Sequence, residues 1–398
     1  MNGPLTGVRV VELTHFLAGP YAGLALADLG ADVVKLEDPD RPDEARSMGP
    51  FFQGGLSMYF AALNWGKRSI GVRLGTERGQ ELARDVIRGA DVLLDNYRPG
   101  VLTKVGLGHA TLRRLNPRLV TCSLTGYGET GPDALRPGYD YTIQAMSGVM
   151  SMGGEPTGPP AKAGISYVDH SGGLAAALAV CAALVERYRS GLGRHVDIGL
   201  LDVQVSMLSY LASWSLNCDY EPERTARSGH PALVPAQNFP TSDGWISLFV
   251  GNDWMWQRLI AVLGDDRLSA PRYADRSGRL EHRDEVVAIL DEVFGAAPAT
   301  TWAARLSDAG VACAPVNDLG AGLDERQVAA RDLITSSQTR SGYHYRHTRG
   351  PIPAMGGHNT GGAPGLGEHT RAVLLGSGIA PTVVDELEAE GIVSPSTV

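Results

Sequence analysis

Three consecutive segments near the N-terminus constrain the fold more than anything else in the chain. Residues 7–13, GVRVVEL, form a short apolar run suited to a buried strand. Residues 21–30, YAGLALADLG, read as a helix closed by Gly30, the usual C-terminal stop. Residues 31–37, ADVVKLE, form a second apolar strand. A strand, a helix and a second strand in this order make a βαβ unit, which implies an α/β class domain with a parallel sheet.

The same texture continues. Residues 77–89 read as a helix, 91–96 and 118–124 as strands, 164–169 as a β-like run, 171–189 as a helix, 194–199 as a strand and 201–217 as a helix rich in bulky apolar residues. Around 220–227, YEPERTAR, the sequence turns charged and loses its period, which suggests a linker. A shorter module follows, with strands at 245–250 and 311–316 and helices at 253–264, 281–295 and 300–310. Residues 318–332 read as a linker with one helical piece, and 381–391 as a last short helix. A length of 398 residues fits about two domains. No internal repeat is evident.

Composition excludes several classes. A net charge of −9 argues against a nucleic-acid partner, although a local basic cluster can still hold an anion. Cys122, Cys181, Cys218 and Cys313 lack CxxC spacing, so neither a disulfide framework nor a zinc site is expected. The stretch MNGPLTGVRVVEL has no basic region leading into an apolar run, and residues 174–185 fall short of the ~20 residues of a membrane span. A cytoplasmic location is the expectation.

The familiar nucleotide motifs are missing. The first strand-to-helix turn reads THFLAGP, not GxGxxG, and no GxxxxGK[ST] occurs. No GxSxG elbow and no HExxH or comparable histidine cluster is present, so no catalytic metal is expected. His170 and His195 read as structural or solvated residues. What remains is a set of polar and basic residues around strand ends: His15, Lys67 and Arg68, the run Asn96-Tyr97-Arg98-Pro99-Gly100 with Lys104 one turn on, Tyr139-Asp140, and Asp169. Ligands of open α/β sheets bind beyond the carboxyl ends of strands, so these residues are expected to converge on one mouth. Cations with a carboxylate suit a phosphate-bearing ligand that also presents an electrophile. The Gly/Pro-rich run 152–160, MGGEPTGPP, is expected to be a mobile loop beside that site.

Asp169, in GISYVDHSGGLAAALAV, admits two readings. Ahead of a helix starting at Ser171 it is a candidate cap for free N–H groups. With a reference pKa of ~3.9 it is also an ionised carboxylate, able to attack a thioester carbonyl.

Taken together, several blocks resemble the class III CoA-transferases, the family of formyl-CoA transferase, the carnitine CoA-transferases and α-methylacyl-CoA racemase. They are VVELTHFLAGPYAGLALADLGADVVKLEDPDRPDEAR, LNWGKRSIGVRL, DVLLDNYRPGVLTKVGLG, SLTGYGETGP, GYDYTIQAMSGVMSMGGEPTGPPAKAGISYVDHSGG, GRHVDIGLLD and GAPGLGEHTRAVL. The likeness runs nearly end to end. It implies a Rossmann-like large domain built from both chain ends, here residues 1–219 and 318–398. It also implies a smaller α+β middle domain with linkers, residues 220–317, and a ring-shaped subunit in an interlocked homodimer.

The resemblance implies an acyl-CoA:carboxylate CoA-transferase that needs no permanently bound cofactor and takes coenzyme A and acyl-CoA as substrates. The catalytic carboxylate falls on Asp169, with Tyr139 beside the thioester. His15, Leu17 and Ala18 align with the turn lining pantetheine and thioester. Val72 and Arg73 align with backbone that holds adenine, and Asn96, Arg98 and Lys104 with the pyrophosphate and adenosine region. Residues 152–158 are then a candidate lid over a water-sensitive anhydride.

Two positions depart from the family pattern. Asp38 stands where many relatives have Arg, so Arg41 or Lys67 is the candidate replacement. Leu17 stands where formyl-CoA transferases have Gln, which argues against oxalate and for a larger or more apolar acyl group. The racemase branch is the nearest alternative. It needs two acid/base groups at the α-carbon, and the His of its His-Asp pair is absent from Gly138-Tyr139-Asp140. A CoA-binding non-catalytic subunit of a heteromeric complex is the alternative of another class. The family suggests a short or branched carboxylic acid as acceptor and succinyl-CoA as donor.

Overall fold

A computed structural model of the chain describes residues 3–352 and 361–394. The chain divides into two compact units. The first draws on Met1–Ser147, Ile165–Met207 and Arg326–Val398, the second on Gly148–Gly164 and Leu208–Glu325. These bounds differ from the division that the resemblance implied. Residues 148–164, 208–219 and 318–325 group with the second unit. One reason is local. The helix expected over 201–217 breaks at Ser209, whose φ of 47° lies in the left-handed region, into Leu200–Met207 and Ser209–Asn217.

The first unit holds a six-stranded sheet. Its strands are β1 (Arg9–Leu13), β2 (Asp32–Glu37), β3 (Arg68–Gly71), β4 (Val92–Asp95), β5 (Val120–Thr125) and β6 (His195–Gly199). Their spatial order is 3-2-1-4-5-6 and every pairing is parallel. That is the order of a doubly wound, Rossmann-like sheet. β1 lies at its centre, so both of its faces need apolar cover. Val10 packs into the cluster on one face, Val11 and Leu13 into the cluster on the other, as the two-residue period of a strand requires.

Helices supply the two outer layers. α1 (Ala18–Asp28) and α6 (Tyr167–Ser190) cover one face. α1 buries every residue except Tyr21, which fits its almost wholly apolar sequence. α2 (Glu77–Arg88) covers the other face together with the C-terminal helices Thr370–Gly376 and Pro381–Ala389. α2 is amphipathic by contrast. Thr76 caps it by accepting from Gly79 N, and Leu82, Val86 and Ile87 face the core, each contributing about 1.5–3 kcal/mol on burial. By length and composition α6 could cross a membrane, but Gly172, Gly173, Ala176, Ala177, Val180 and Ala183 are buried against protein. Small residues let α6 approach α1 closely. A Cβ on Gly173 would lie 2.7 Å from Ala18 O. The Gly172-Gly173 pair is therefore a packing contact inside the helix and not its start.

The second unit has its own three-stranded antiparallel sheet, with β7 (Ala236–Pro240), β8 (Trp245–Phe249) and β9 (Ala312–Pro315) in the order 9-8-7. Ile246 and Leu248 alternate inward from β8. An aromatic chain fills the core, with Phe239 and Trp302 each 5.3 Å from the Phe294 ring. Trp302 Nε1 donates to Phe294 O at 2.9 Å. The Gly/Pro-rich run 152–160 belongs to this unit. It is held there by Arg224, which donates to Glu155 O and Gly158 O, and by Arg227 N, which donates to Glu155 Oε1 at 2.8 Å. The stretch expected to be a plain linker, 220–227, thus supplies the anchors for the loop expected to be mobile.

Candidate active site

The strand order reverses between β1 and β4, and the loops after those strands part there. Paired hydrogen bonds tie them together below the opening. His15 N donates to Asn96 Oδ1 at 2.8 Å, and Asn96 Nδ2 returns to His15 O at 2.9 Å. The next residue, Phe16, has φ 60°, a conformation that costs a bulky side chain about 1–3 kcal/mol. Asp43 holds it there, accepting from Phe16 N at 3.0 Å. Strain kept at a strand-to-helix turn by a buried carboxylate marks this turn as functional.

These loops line a cavity of about 830 Å³ made wholly from the first unit. His15, Leu17, Ala18, Asn96, Arg98, Tyr139 and Asp169 all stand on its wall. Arg41 lines it as well, next to Asp38. Val72, Arg73 and Lys104 do not line it. Val72 is fully buried in a bridge to Val393, Arg73 is exposed with its Nε 3.4 Å from Asp40, and Lys104 is exposed at the end of α3 (Val101–Lys104). Lys67 and Arg68 also lie elsewhere. Lys67 precedes β3 and Arg68 opens it, so Arg68 pairs with Asp32 at the start of β2, while Lys67 is buried under α1. Of the two candidates to replace the arginine missing at position 38, only Arg41 reaches the cavity.

The structure corrects the local reading of Asp169. Residues 167–169 are not the end of a strand but the first turn of α6, and Asp169 is its third residue. The cap comes from elsewhere. Asp140 is the first residue of α5 (Asp140–Met146) and is buried, and its Oδ2 accepts from Val168 N at 3.0 Å. Its Oδ1 accepts from Gln144 Nε2 at 2.8 Å. A carboxylate 28 residues upstream thus seats the start of α6, and the half-buried Asp169 faces the cavity with the positive end of the helix beneath it. The Tyr59 phenol lies in its field. Burial first, then the charges of Asp169 and Asp43, push that phenol up to about 12.

Behind the wall lies a buried ionic network. Glu12 and Lys35 are cross-strand neighbours on β1 and β2. Lys35 Nζ donates to Thr14 O at 2.6 Å and sits 3.0 Å from Asp43 Oδ2 and 3.6 Å from Glu12 Oε1. Lys67 Nζ takes Glu12 Oε1, Pro20 O and Asn64 Oδ1 at 2.8, 2.8 and 3.0 Å. Burial depresses both ammoniums, but Asp43 and Glu12 more than restore Lys35, which ends above the ordinary lysine value. Lys67 shares Glu12 and faces Lys35, so burial wins and its pKa falls to about 8. The second oxygen of Glu12 fits under α1 only because residue 23 is glycine, where a Cβ would come within 1.7 Å of it. Burial also raises Asp43, yet Lys35 and the amides of Phe16 and Ala45 outweigh it and hold Asp43 below the usual carboxylate range. His15 Nδ1 lies 3.9 Å from Asp43, and its Nε2 meets the Tyr97 hydroxyl. Burial, against the pull of Asp43, keeps His15 below the ordinary histidine value.

Sequence reasoning missed Phe16, Asp43, Tyr59, Arg136 and the capping role of Asp140. Asp43 lay inside a block that carries the resemblance, but nothing in that run, EDPDRPDEAR, singles it out.

A doubly wound sheet whose switch point opens on a cavity with guanidiniums and a helix-seated carboxylate defines an α/β enzyme for a large anionic ligand. Residues 5–370 match CoA-transferase family III, and the chain belongs to that family. It is a CoA-transferase. It is 39% identical to the succinate–glutarate CoA-transferase of Agrobacterium fabrum over 93% of this chain and 95% of that one. It is 36% identical to the acetyl-CoA:oxalate CoA-transferase of Acetobacter aceti, over 84% and 86% respectively. Among solved structures, a CaiB/BaiF family protein from Brucella suis superposes with a TM-score of 0.84 at 36% identity, covering 95% of this chain and all of that one.

Proposed function

We propose that the chain carries CoA from an acyl-CoA donor to a free carboxylic acid through covalent intermediates on Asp169. The carboxylate attacks the thioester carbonyl, and the C–S bond breaks to give an aspartyl mixed anhydride and CoA thiolate. The thiolate then attacks the aspartyl carbonyl, releasing the donor acid and leaving an aspartyl-CoA thioester. The acceptor carboxylate attacks that thioester, and a second anhydride forms with the thiolate expelled again. Attack of the thiolate on the acceptor's acyl carbon yields the new acyl-CoA and restores Asp169. Bonds and charges balance without an external energy source, since one thioester is exchanged for another.

The observation that carries this reading is the division of labour between two carboxylates. Asp140 takes the amide at the start of α6, and Asp169 lines the cavity. Arg41, Arg98 and Arg136 on the wall supply positive charge for the phosphates of CoA and for a second carboxylate on a substrate. The relatives named for succinate and glutarate favour a short dicarboxylic acid as acceptor and succinyl-CoA as donor. Leu17, buried on the same wall, favours an acyl chain longer than oxalate.

The active form we infer is a homodimer of the interlocked kind. α6 leaves Leu174, Leu178, Val185 and Tyr188 exposed on one side, and Tyr188 is 91% exposed. Such a stripe on one helix suits burial by a second copy. Intact-protein mass spectrometry with a panel of acyl-CoAs, followed by hydroxylamine, tests the chemistry. An adduct trapped at Asp169 and lost in Asp169→Ala is the expected result. No adduct with any donor, combined with scrambled stereochemistry in a 2-methylacyl-CoA, sinks it in favour of racemisation. Light scattering at micromolar concentration tests the dimer.

A further inference from the structure

A second polar cleft lies behind the segment that walls the large cavity. It is small, about 40 Å³, and Asp95, His109, Thr121, Ser123 and Glu129 stand on it. That volume exceeds what one water needs and suits an ion with a water ligand. Three side chains from separate segments meet there: His109 at the start of α4 (His109–Leu115), Glu129 in the loop after β5, and His195 at the start of β6. One donor atom from each lies within 4.8 Å of the others. The His109 and His195 rings stack at 4.1 Å, and His195 Nε2 is 2.8 Å from Glu129 Oε2.

We propose that His109, Glu129 and His195 form a binding site for a divalent transition-metal ion of the zinc class, structural in role and separate from the transfer chemistry. Two imidazoles and one carboxylate are a donor set for zinc, cobalt, nickel or copper and not for magnesium or calcium. The surroundings are built for it. Thr121 Oγ1 lies 2.8 Å from His195 Nδ1, so an Nδ1–H donated to the hydroxyl leaves the Nε2 lone pair toward Glu129. An acceptor on the far ring nitrogen orients metal-bound histidines generally. The backbone of Glu129 is anchored too, since Glu129 N donates to both oxygens of Asp197 at 3.1 and 3.0 Å. Behind them Asp95, 7% exposed and accepting from Ser123 Oγ at 2.9 Å, stands on the same wall.

Tetrahedral ligands at ~2.1 Å from an ion are ~3.4 Å apart. Glu129 and His195 therefore part slightly on loading, and the ring of His109, the exposed member, turns out of its stack so that its lone pair converges. Tyr97, Arg98, Pro99 and Leu102 line both this cleft and the large cavity. A bound ion thus braces the back of the wall that faces the acyl-CoA site.

The test uses the full chain freed of metal with EDTA. Zn²⁺ is titrated calorimetrically, and Co²⁺ is followed by its visible d–d spectrum. We expect one ion per chain with a low-micromolar or tighter Kd, a four-coordinate Co²⁺ spectrum and a raised thermal midpoint. His109→Ala, a change at an exposed position, loses at least ~100-fold in affinity, and Thr121→Val loses ~10-fold. His195→Gln, checked for folding by circular dichroism, abolishes binding. Equal Zn²⁺ binding by the wild type and His109→Ala overturns the proposal, as does a six-coordinate Co²⁺ spectrum unchanged by all three substitutions. None of these readouts depends on CoA transfer.

Discussion

The two units bury their cations in different ways. In the second unit Arg279 is wholly buried and every part of its guanidinium is engaged. It donates to Val234 O and Tyr273 O at 3.0 and 3.1 Å and to Asp253 Oδ1 at 2.7 Å, over the Trp256 ring. In the first unit Lys35 and Lys67 share one oxygen of Glu12, and the other oxygen has no hydrogen-bond partner among the described residues. A guanidinium stays charged and can be satisfied in a rigid fork. An ammonium is a point charge whose proton can leave. The second unit uses a buried cation to join loops. The first keeps a coupled, titratable cluster directly behind its ligand cavity.

The largest expected effect separates chemistry from folding within the first unit. Asp169→Ala lowers CoA transfer by at least ~10³-fold in a donor-exchange assay, while urea unfolding stays within ~0.5 kcal/mol of wild type. A large stability change would mean that Asp169, and not Asp140, holds the start of α6. Next comes the satisfied cation. Arg279→Met leaves buried carbonyl oxygens without donors and destabilises by about 3 kcal/mol in denaturant titration. A negligible loss would erase the contrast between the units.

The shared cation gives a pH signature instead. Lys67 has a folded pKa of about 8 against an ordinary 10.5, so between those values the unfolded chain holds a proton that the folded one does not. Its contribution to stability rises with pH across that window. The unfolding free energy of wild type minus that of Lys67→Met should climb by on the order of 1–3 kcal/mol from pH 8 to 10. A flat difference would show that Lys67 keeps its proton as Arg279 does. The smallest effect belongs to the wall. Arg41→Ala raises the KM for acyl-CoA by ~10-fold with little change in kcat, the loss of one charge-assisted contact. An unchanged KM would assign the phosphates to Arg98 and Arg136.

Much of the first unit was legible because its signals are local. The runs GVRVVEL and ADVVKLE are apolar on both faces, and only a central parallel strand tolerates that. Gly30 closes α1 at φ 97° where a left-handed residue is needed. His15 and Asn96 were legible as ligand-facing because they follow central strands. The strand expected over 164–169 failed because Tyr167 and Val168 open a helix whose first turn is seated from outside. No local pattern reports a cap 28 residues away. Lys67 was misplaced for a related reason. A basic residue near a strand end reads as a ligand contact unless its buried partner on another strand, here Glu12, is known.

The order of residues by itself determined the class of sheet, the family, and the carboxylate on which the proposed chemistry depends, because apolar period and motif are properties of contiguous chain. Tertiary structure decided everything set by distance between remote segments. It chose which arginines reach the cavity, which lysine gives up its proton, that Asp140 seats α6, and that His109, Glu129 and His195 meet. Charges and hydrogen bonds act over a few ångströms in space, and only the folded chain brings their partners that close.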